Sequence, residues 1–168
     1  MGTIHRVGSL EIDQDLDFER REWRVQRIAW VLGVLVLVVG FLGLLGGGPL
    51  SAGGTTSGPL ALDYQRLARQ EADAPLRLHV APDTAVDGQV AVWLDRAYLA
   101  RVDIAQVMPE PVETEIGESR VIYHLAVADP AQPATITLRT VPGEPGLVSG
   151  RLGIVDGAEV AFTQFIYP

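Results

Sequence analysis

Residues 28–45, IAWVLGVLVLVVGFLGLL, constrain this chain more than any other stretch, because eighteen consecutive positions carry no charge, amide or hydroxyl. Continued through Gly46, Gly47 and Gly48, the uncharged run reaches twenty-one residues before Pro49. At about 1.5 Å of rise per residue, a helix of that length spans roughly 30 Å, the hydrocarbon thickness of a bilayer. A helix on the surface of a water-soluble domain keeps a polar face, and this stretch offers none. The sequence therefore predicts a transmembrane helix.

The flanking charges set its direction. Arg20, Arg21, Arg24 and Arg27 precede the apolar run, and no Lys or Arg follows until Arg66. By the positive-inside rule the N-terminus lies in the cytoplasm and the C-terminal part outside it. Trp23 and Trp30 stand where amphipathic rings anchor at the headgroup level. A cleaved signal peptide would have a shorter apolar core, about 7–15 residues, ending in a small-x-small site. Leu50-Ser51-Ala52 fits that poorly, so a retained signal anchor is expected. All thirteen basic residues are Arg, which fits a GC-rich bacterial genome, and the expected location is the bacterial cytoplasmic (inner) membrane, with the C-terminal domain periplasmic.

Within the span, Gly33, Gly40 and Gly47 recur every seven residues, with Ala29 four before Gly33. Seven residues is close to two helical turns, so these small residues share a face on which a second helix can pack closely. The expected partners are the lipid bilayer and, through this face, another membrane protein or a second copy of the chain. The span holds no charge, which argues against an ion or proton path through it.

The organisation that follows has four parts. Residues 1–19, with Glu11, Asp13, Asp15, Asp17 and Glu19 interleaved with apolar residues, read as a largely disordered cytoplasmic tail. Residues 20–48 form the juxtamembrane and transmembrane helix. Residues 49–59, rich in Gly, Ser and Thr, read as a flexible linker. Residues 60–168 form one extracytoplasmic domain, long enough to bury its own core.

That domain carries eight Arg against fifteen acids, a charge of −7 within the chain's −8. Such a domain repels nucleic acid and anionic lipid headgroups, and no nucleic-acid partner is expected. Without Cys there is no disulfide, thiolate metal site or cysteine nucleophile.

Period-2 alternation dominates the domain. Leu76, Leu78 and Val80 share one side of a strand; so do Val90, Val92 and Leu94; Val121, Tyr123, Leu125 and Val127; Ile136 and Leu138; and Val160 and Phe162. Turn signals separate the runs at Asp87-Gly88, Gly117-Glu118 and Asp156-Gly157, and Asp-Gly at 156–157 suits a type I′ hairpin. Residues 60–69 fit helical and strand spacing equally, and the framing Pro59 and Pro75 favour strand. Residues 95–99 read as a short helical turn. About eight strands with turns between them predict an all-β, antiparallel, immunoglobulin-like β-sandwich, with Trp93 as a candidate core aromatic between its sheets.

The C-terminal TQFIYP and the stretch YLARVDIAQVMPEPVE resemble uncharacterised small bacterial single-pass membrane proteins with an extracytoplasmic β domain. The resemblance implies the same architecture and supplies no activity and no site residue.

Candidate chemistry is sparse. His79 and His124 occupy the alternate, outward positions of their strands and could share a metal if those strands were neighbours. Two solvent-facing histidines are the plainer reading. Ser119 and Ser149 lack a nucleophile elbow, and Glu113 and Glu115 alternate outward on a short strand. No cofactor, metal or catalytic residue is expected. The sequence reads as a non-enzymatic accessory or interaction protein, the alternative being an extracytoplasmic module that binds a metal, glycan or envelope polymer.

Overall fold

The computed structural model describes residues 16–41, 51–82 and 84–168, with side chains from Trp23 onward. The chain divides into two compact units, Met1–Gly40 and Phe41–Pro168.

The first unit holds a helix, α1 (Leu16–Val39), followed by π-helical backbone at Gly40 and Phe41, where the described residues of this stretch end. It starts inside the stretch expected to be a disordered tail, and residues 1–15 lie outside the described part. The apolar part, residues 28–39, rises roughly 18 Å. No helix of the described residues is long and apolar enough to cross a membrane. The rest of the expected span, residues 42–45, lies outside the described residues.

The described residues of the second unit form eleven strands and one helical turn. The strands are β1 (Ala52–Ser57), β2 (Leu60–Gln65), β3 (Leu67–Arg69), β4 (Leu76–Val80), β5 (Gln89–Asp95), β6 (Val102–Met108), β7 (Pro111–Ile116), β8 (Arg120–Ala126), β9 (Ala134–Pro142), β10 (Gly146–Ile154) and β11 (Glu159–Tyr167). They form a five-stranded sheet, β1-β2-β4-β9-β6, and a six-stranded sheet, β3-β11-β10-β5-β8-β7. The alternation explains the layering. Leu60, Leu62, Leu76, Leu78, Ile136 and Leu138 from the first sheet meet Val90, Val92, Leu94, Val148, Leu152 and Phe162 from the second in one buried cluster. The result is a β-sandwich, as the sequence predicts, with more strands than the eight expected and than the about seven to nine of an immunoglobulin domain. It is mixed, because β3 runs parallel to β11 while the other pairs are antiparallel.

Four sequence expectations are corrected. Most of the flexible linker is strand: β1 pairs along its whole length with β2, from Ala52↔Gln65 to Ser57↔Leu60. Its glycines are what the packing needs, since a Cβ at Gly53 would lie 2.8 Å from the Arg66 side chain and 2.9 Å from the Tyr64 ring. Residues 60–69 are strand, as favoured, but split between sheets: β2 belongs to one, β3 to the other, and Arg66 is the corner. The type I′ geometry sits at Asp87-Gly88, where both φ angles are positive (50° and 75°) and Val86 and Gln89 exchange backbone hydrogen bonds. At 156–157 only Asp156 has positive φ, so that hairpin forms with another turn. Trp93 is buried, but its neighbours Val92 and Leu94 take the core side. The indole therefore lies on the outer side of the six-stranded sheet, opposite Gly153, donating to the Ile154 carbonyl at 3.2 Å.

The predicted turn after β5 is α2 (Arg96–Leu99), capped by Asp95, whose Oδ1 accepts from the Ala97 amide at 2.9 Å. It delivers Tyr98 to the centre of the core. Tyr98 stacks edge-on against Phe162 with ring centroids 5.0 Å apart and donates from its hydroxyl to Gln164 Oε1 at 2.8 Å. Gln164 in turn donates to the Gln65 carbonyl at 2.9 Å. Burial pushes the Tyr98 phenol up to about 12, its hydrogen bond with Thr140 pulling the other way.

Candidate functional site

On α1, Ala29 and Gly33 lie along a shallow strip flanked by Gln26, Trp30, Val36 and Leu37. A Cβ at Gly33 would meet nothing within 4 Å, so this strip is open to another surface. Gly40 falls in the π-helical backbone that follows α1, and Gly47 lies outside the described residues. The four arginines expected to set the topology are all helical; the Arg27 guanidinium stands 4.1 Å from the centroid of the Trp23 ring. That contact joins a cation and an amphipathic ring at the boundary between the charged and apolar parts of the helix. Trp30 lies two turns further and is exposed.

The two histidines do not come together. His79 is on β4 of the five-stranded sheet, and His124 is on β8 of the six-stranded sheet, each on an outer side. His79 Nε2 lies 3.0 Å from Asp63 Oδ2, and its Nδ1 lies 3.1 Å from Thr135 Oγ1. These three residues are cross-strand neighbours on β2, β4 and β9. His124 Nε2 lies 2.8 Å from Glu115 Oε1 across the β7–β8 pair. Each histidine is satisfied by a carboxylate, and among the described residues no three His, Asp or Glu converge to hold a metal ion. Ser149 bonds Thr163 at 3.0 Å, while Ser119 is in the β7–β8 turn, its carbonyl accepting from the Arg96 amide.

Sequence reasoning missed a surface at one corner of the six-stranded sheet. Leu147 and Phe165 are directly opposite each other on β10 and β11, with Leu67 of β3 next to Phe165. Leu147 and Phe165 are 65% and 49% exposed, although every apolar neighbour on the other side of these strands is buried. Arg66 and Arg69 stand exposed on the β3 edge. The opposite edge, β7, presents Glu113 and Glu115, with Glu110 and Glu118 just beyond its ends. The sheet is thus charge-polarised from one edge to the other. Strand parity alone puts Phe165 on the side away from Phe162 and Ile166, which was a usable signal. Its pairing with Leu147 and Leu67 needed the register.

No family model and no curated protein matches the chain. Among solved structures, it is similar to a cohesin module from a Clostridium perfringens family 33 glycoside hydrolase, at 10% identity and a TM-score of 0.42, covering 70% of this chain and 97% of that one.

Proposed function

We propose that this protein is a membrane-anchored, non-enzymatic accessory or interaction protein. Its N-terminal helix enters the bilayer from the cytoplasmic side, and its β-sandwich acts outside the cytoplasm. The observation that carries this reading is the exposure of α1. Twelve large apolar side chains between Trp23 and Phe41 are 48–88% exposed, and they occupy every side of the helix beyond Arg27. Burial of one such side chain is worth about 1.5–3 kcal/mol. Leaving twelve in water would forgo more than the whole net stability of a domain, about 5–15 kcal/mol. Lipid removes that cost, and the uncharged sequence continues past Phe41 as far as Gly48. The paired histidines, and the lack among the described residues of three converging His, Asp or Glu, favour a binding role for the sandwich over a catalytic one.

The small-residue strip at Ala29 and Gly33 is where a partner helix would approach. Purification of the full chain in mild detergent tests this. The expected result is a stable dimer or a co-purifying membrane protein, lost in Gly33→Leu because the bulky side chain fills the strip. A monomer without companions, unchanged by Gly33→Leu, would refute it.

A further inference from the structure

We infer that β1 is a releasable strap, a strand that leaves the five-stranded sheet while the rest of the sandwich stays folded. Its release lengthens the chain that connects helix and sandwich. The release itself stands on the sandwich alone, and only its consequence for reach rests on the membrane-anchored reading above.

The strand is held by its backbone and by little else. AGGTTS places no residue in the buried cluster, whereas β2, β4, β6 and β9 of the same sheet each place at least one. The one buried position of β1 is Gly53, which has no side chain to contribute. As an edge strand, β1 has a single ladder partner, β2, from Ala52↔Gln65 to Ser57↔Leu60. Each backbone hydrogen bond exchanged for water leaves a small net gain. Glycine loses more freedom on ordering than any other residue, and β1 orders two of them.

A latch at the start of β1 fastens it. The Arg66 amide donates to the Ser51 carbonyl at 2.6 Å, and the Arg66 carbonyl accepts from the Phe165 amide at 2.7 Å. One residue thus ties the beginning of β1 to β11. Beside it, Gly53 lies against two side chains, for a Cβ there would come within 2.8 Å of Arg66 and 2.9 Å of Tyr64. Tyr64 in turn leans on Phe162 of the core, with ring centroids 5.5 Å apart. The sandwich side of the latch is therefore anchored, and β1 is the part that moves. Tension arriving from the N-terminal side meets Ser51 before any pair of β1, and the antiparallel pairs beyond it then open one after another.

The release has a defined end. The Pro59 carbonyl accepts from the Ala81 amide at 2.9 Å, and Leu60 and Leu62 are each 1% exposed. On its other side β2 is paired with β4 from Leu60↔Val80 to Asp63↔Arg77. The chain consequently opens as far as Gly58, and β2 stays in place as the new edge. Residues 51–59 join residues 42–50 as connection, adding about 30 Å of extended chain.

Hydrogen exchange on the full chain in detergent, followed peptide by peptide, tests this. Amides of β1 should exchange about tenfold or more faster than those of β4 and β9, through an opening insensitive to low denaturant. Gly53→Ala, which crowds the latch, should speed β1 about tenfold further and leave β4 and β9 unchanged. Thr56 and Ala61 are directly opposite each other, on the side away from Leu60 and Leu62, and the chain has no Cys of its own. A Thr56→Cys, Ala61→Cys disulfide should slow β1 about tenfold when oxidised and not when reduced, a comparison made within one folded protein. Exchange of β1 at the rate of β4 and β9 with the same denaturant dependence would overturn the inference. So would equal acceleration of all three strands by Gly53→Ala, or no slowing on oxidation. Exchange reads β1 whether or not the helix lies in a bilayer. Alkaline extraction of the chain from vesicles tests the anchor separately, so a releasable β1 in a chain that washes off would overturn only the membrane reading and the reach that follows from it.

Discussion

The helix and the sandwich treat the same kinds of side chain in opposite ways. In the sandwich, Leu62, Leu78, Leu138 and Leu152 are 0–1% exposed, packed between two sheets. On α1, Leu32, Leu35 and Leu37 are 55–73% exposed. The sandwich satisfies its hydrophobic content internally, including its buried polar groups, through Tyr98, Gln164 and Thr140. The helix satisfies only its backbone and leaves its side chains to whatever surrounds it. The proposed membrane anchor would call for that division of labour: backbone hydrogen bonds closed within the segment, apolar side chains turned outward.

The largest expected effect separates the two regions most plainly. Leu138→Ala should lower the unfolding free energy of the sandwich by about 2–5 kcal/mol, as cavity-forming core substitutions do. Leu35→Ala should leave it unchanged, because Leu35 is not a member of the buried cluster and is 56% exposed. Denaturant unfolding followed by Trp93 fluorescence, with Trp23 and Trp30 replaced by Phe, measures both. A comparable loss from Leu35→Ala would erase the distinction.

A smaller effect comes from Tyr98. Its phenol ionises near 10 in the unfolded chain and about 12 in the fold, so the unfolded state gives up its proton first as pH rises. The stabilisation is fully present below pH 10 and is lost between pH 10 and 12, amounting to about 2–3 kcal/mol. Tyr98→Phe should remove that slope from the alkaline stability profile, and an unchanged slope would mean that another group is responsible.

The smallest effect concerns the histidines. Because His79 and His124 sit on different sheets with carboxylate partners at 3.0 and 2.8 Å, they share no metal. The double replacement His79→Ala, His124→Ala should shift stability by about 1 kcal/mol or less. It should also leave calorimetric titrations with zinc and copper as flat as in the parent. Tight binding in the parent, lost in the double variant, would restore a metal-binding role.

Much of the sandwich was legible because strand parity is a local signal. The pattern at Val90, Val92 and Leu94 gave the core side of β5, and residues 95–99 read as the helical turn that α2 supplies, without its Asp95 cap. β1 was not legible: AGGTTS has no apolar alternation, and it is strand only because β2 offers a free edge and the Arg66 and Tyr64 side chains fill the space over Gly53. Parity also cannot say which sheet a strand joins. That is why two outward histidines looked able to meet; Trp93 was misassigned for another reason, its size outweighing the parity that sets it opposite Val92 and Leu94, where Gly153 across the strand pair leaves it an outer seat. The apolar corner at Leu147 and Phe165 was missed because each residue alone is an ordinary exposed side chain and only the register joins them. The helix was legible from Arg20 onward, while its start at Leu16 lies inside the stretch read as a disordered tail.

The most direct test of the central claim is alkaline extraction of membranes from cells expressing the full chain, paired with a compartment-sensitive reporter fused after Pro168. The account predicts that the protein stays in the membrane pellet and that the reporter is active outside the cytoplasm. Release into the supernatant, or a reporter active only in the cytoplasm, would contradict it.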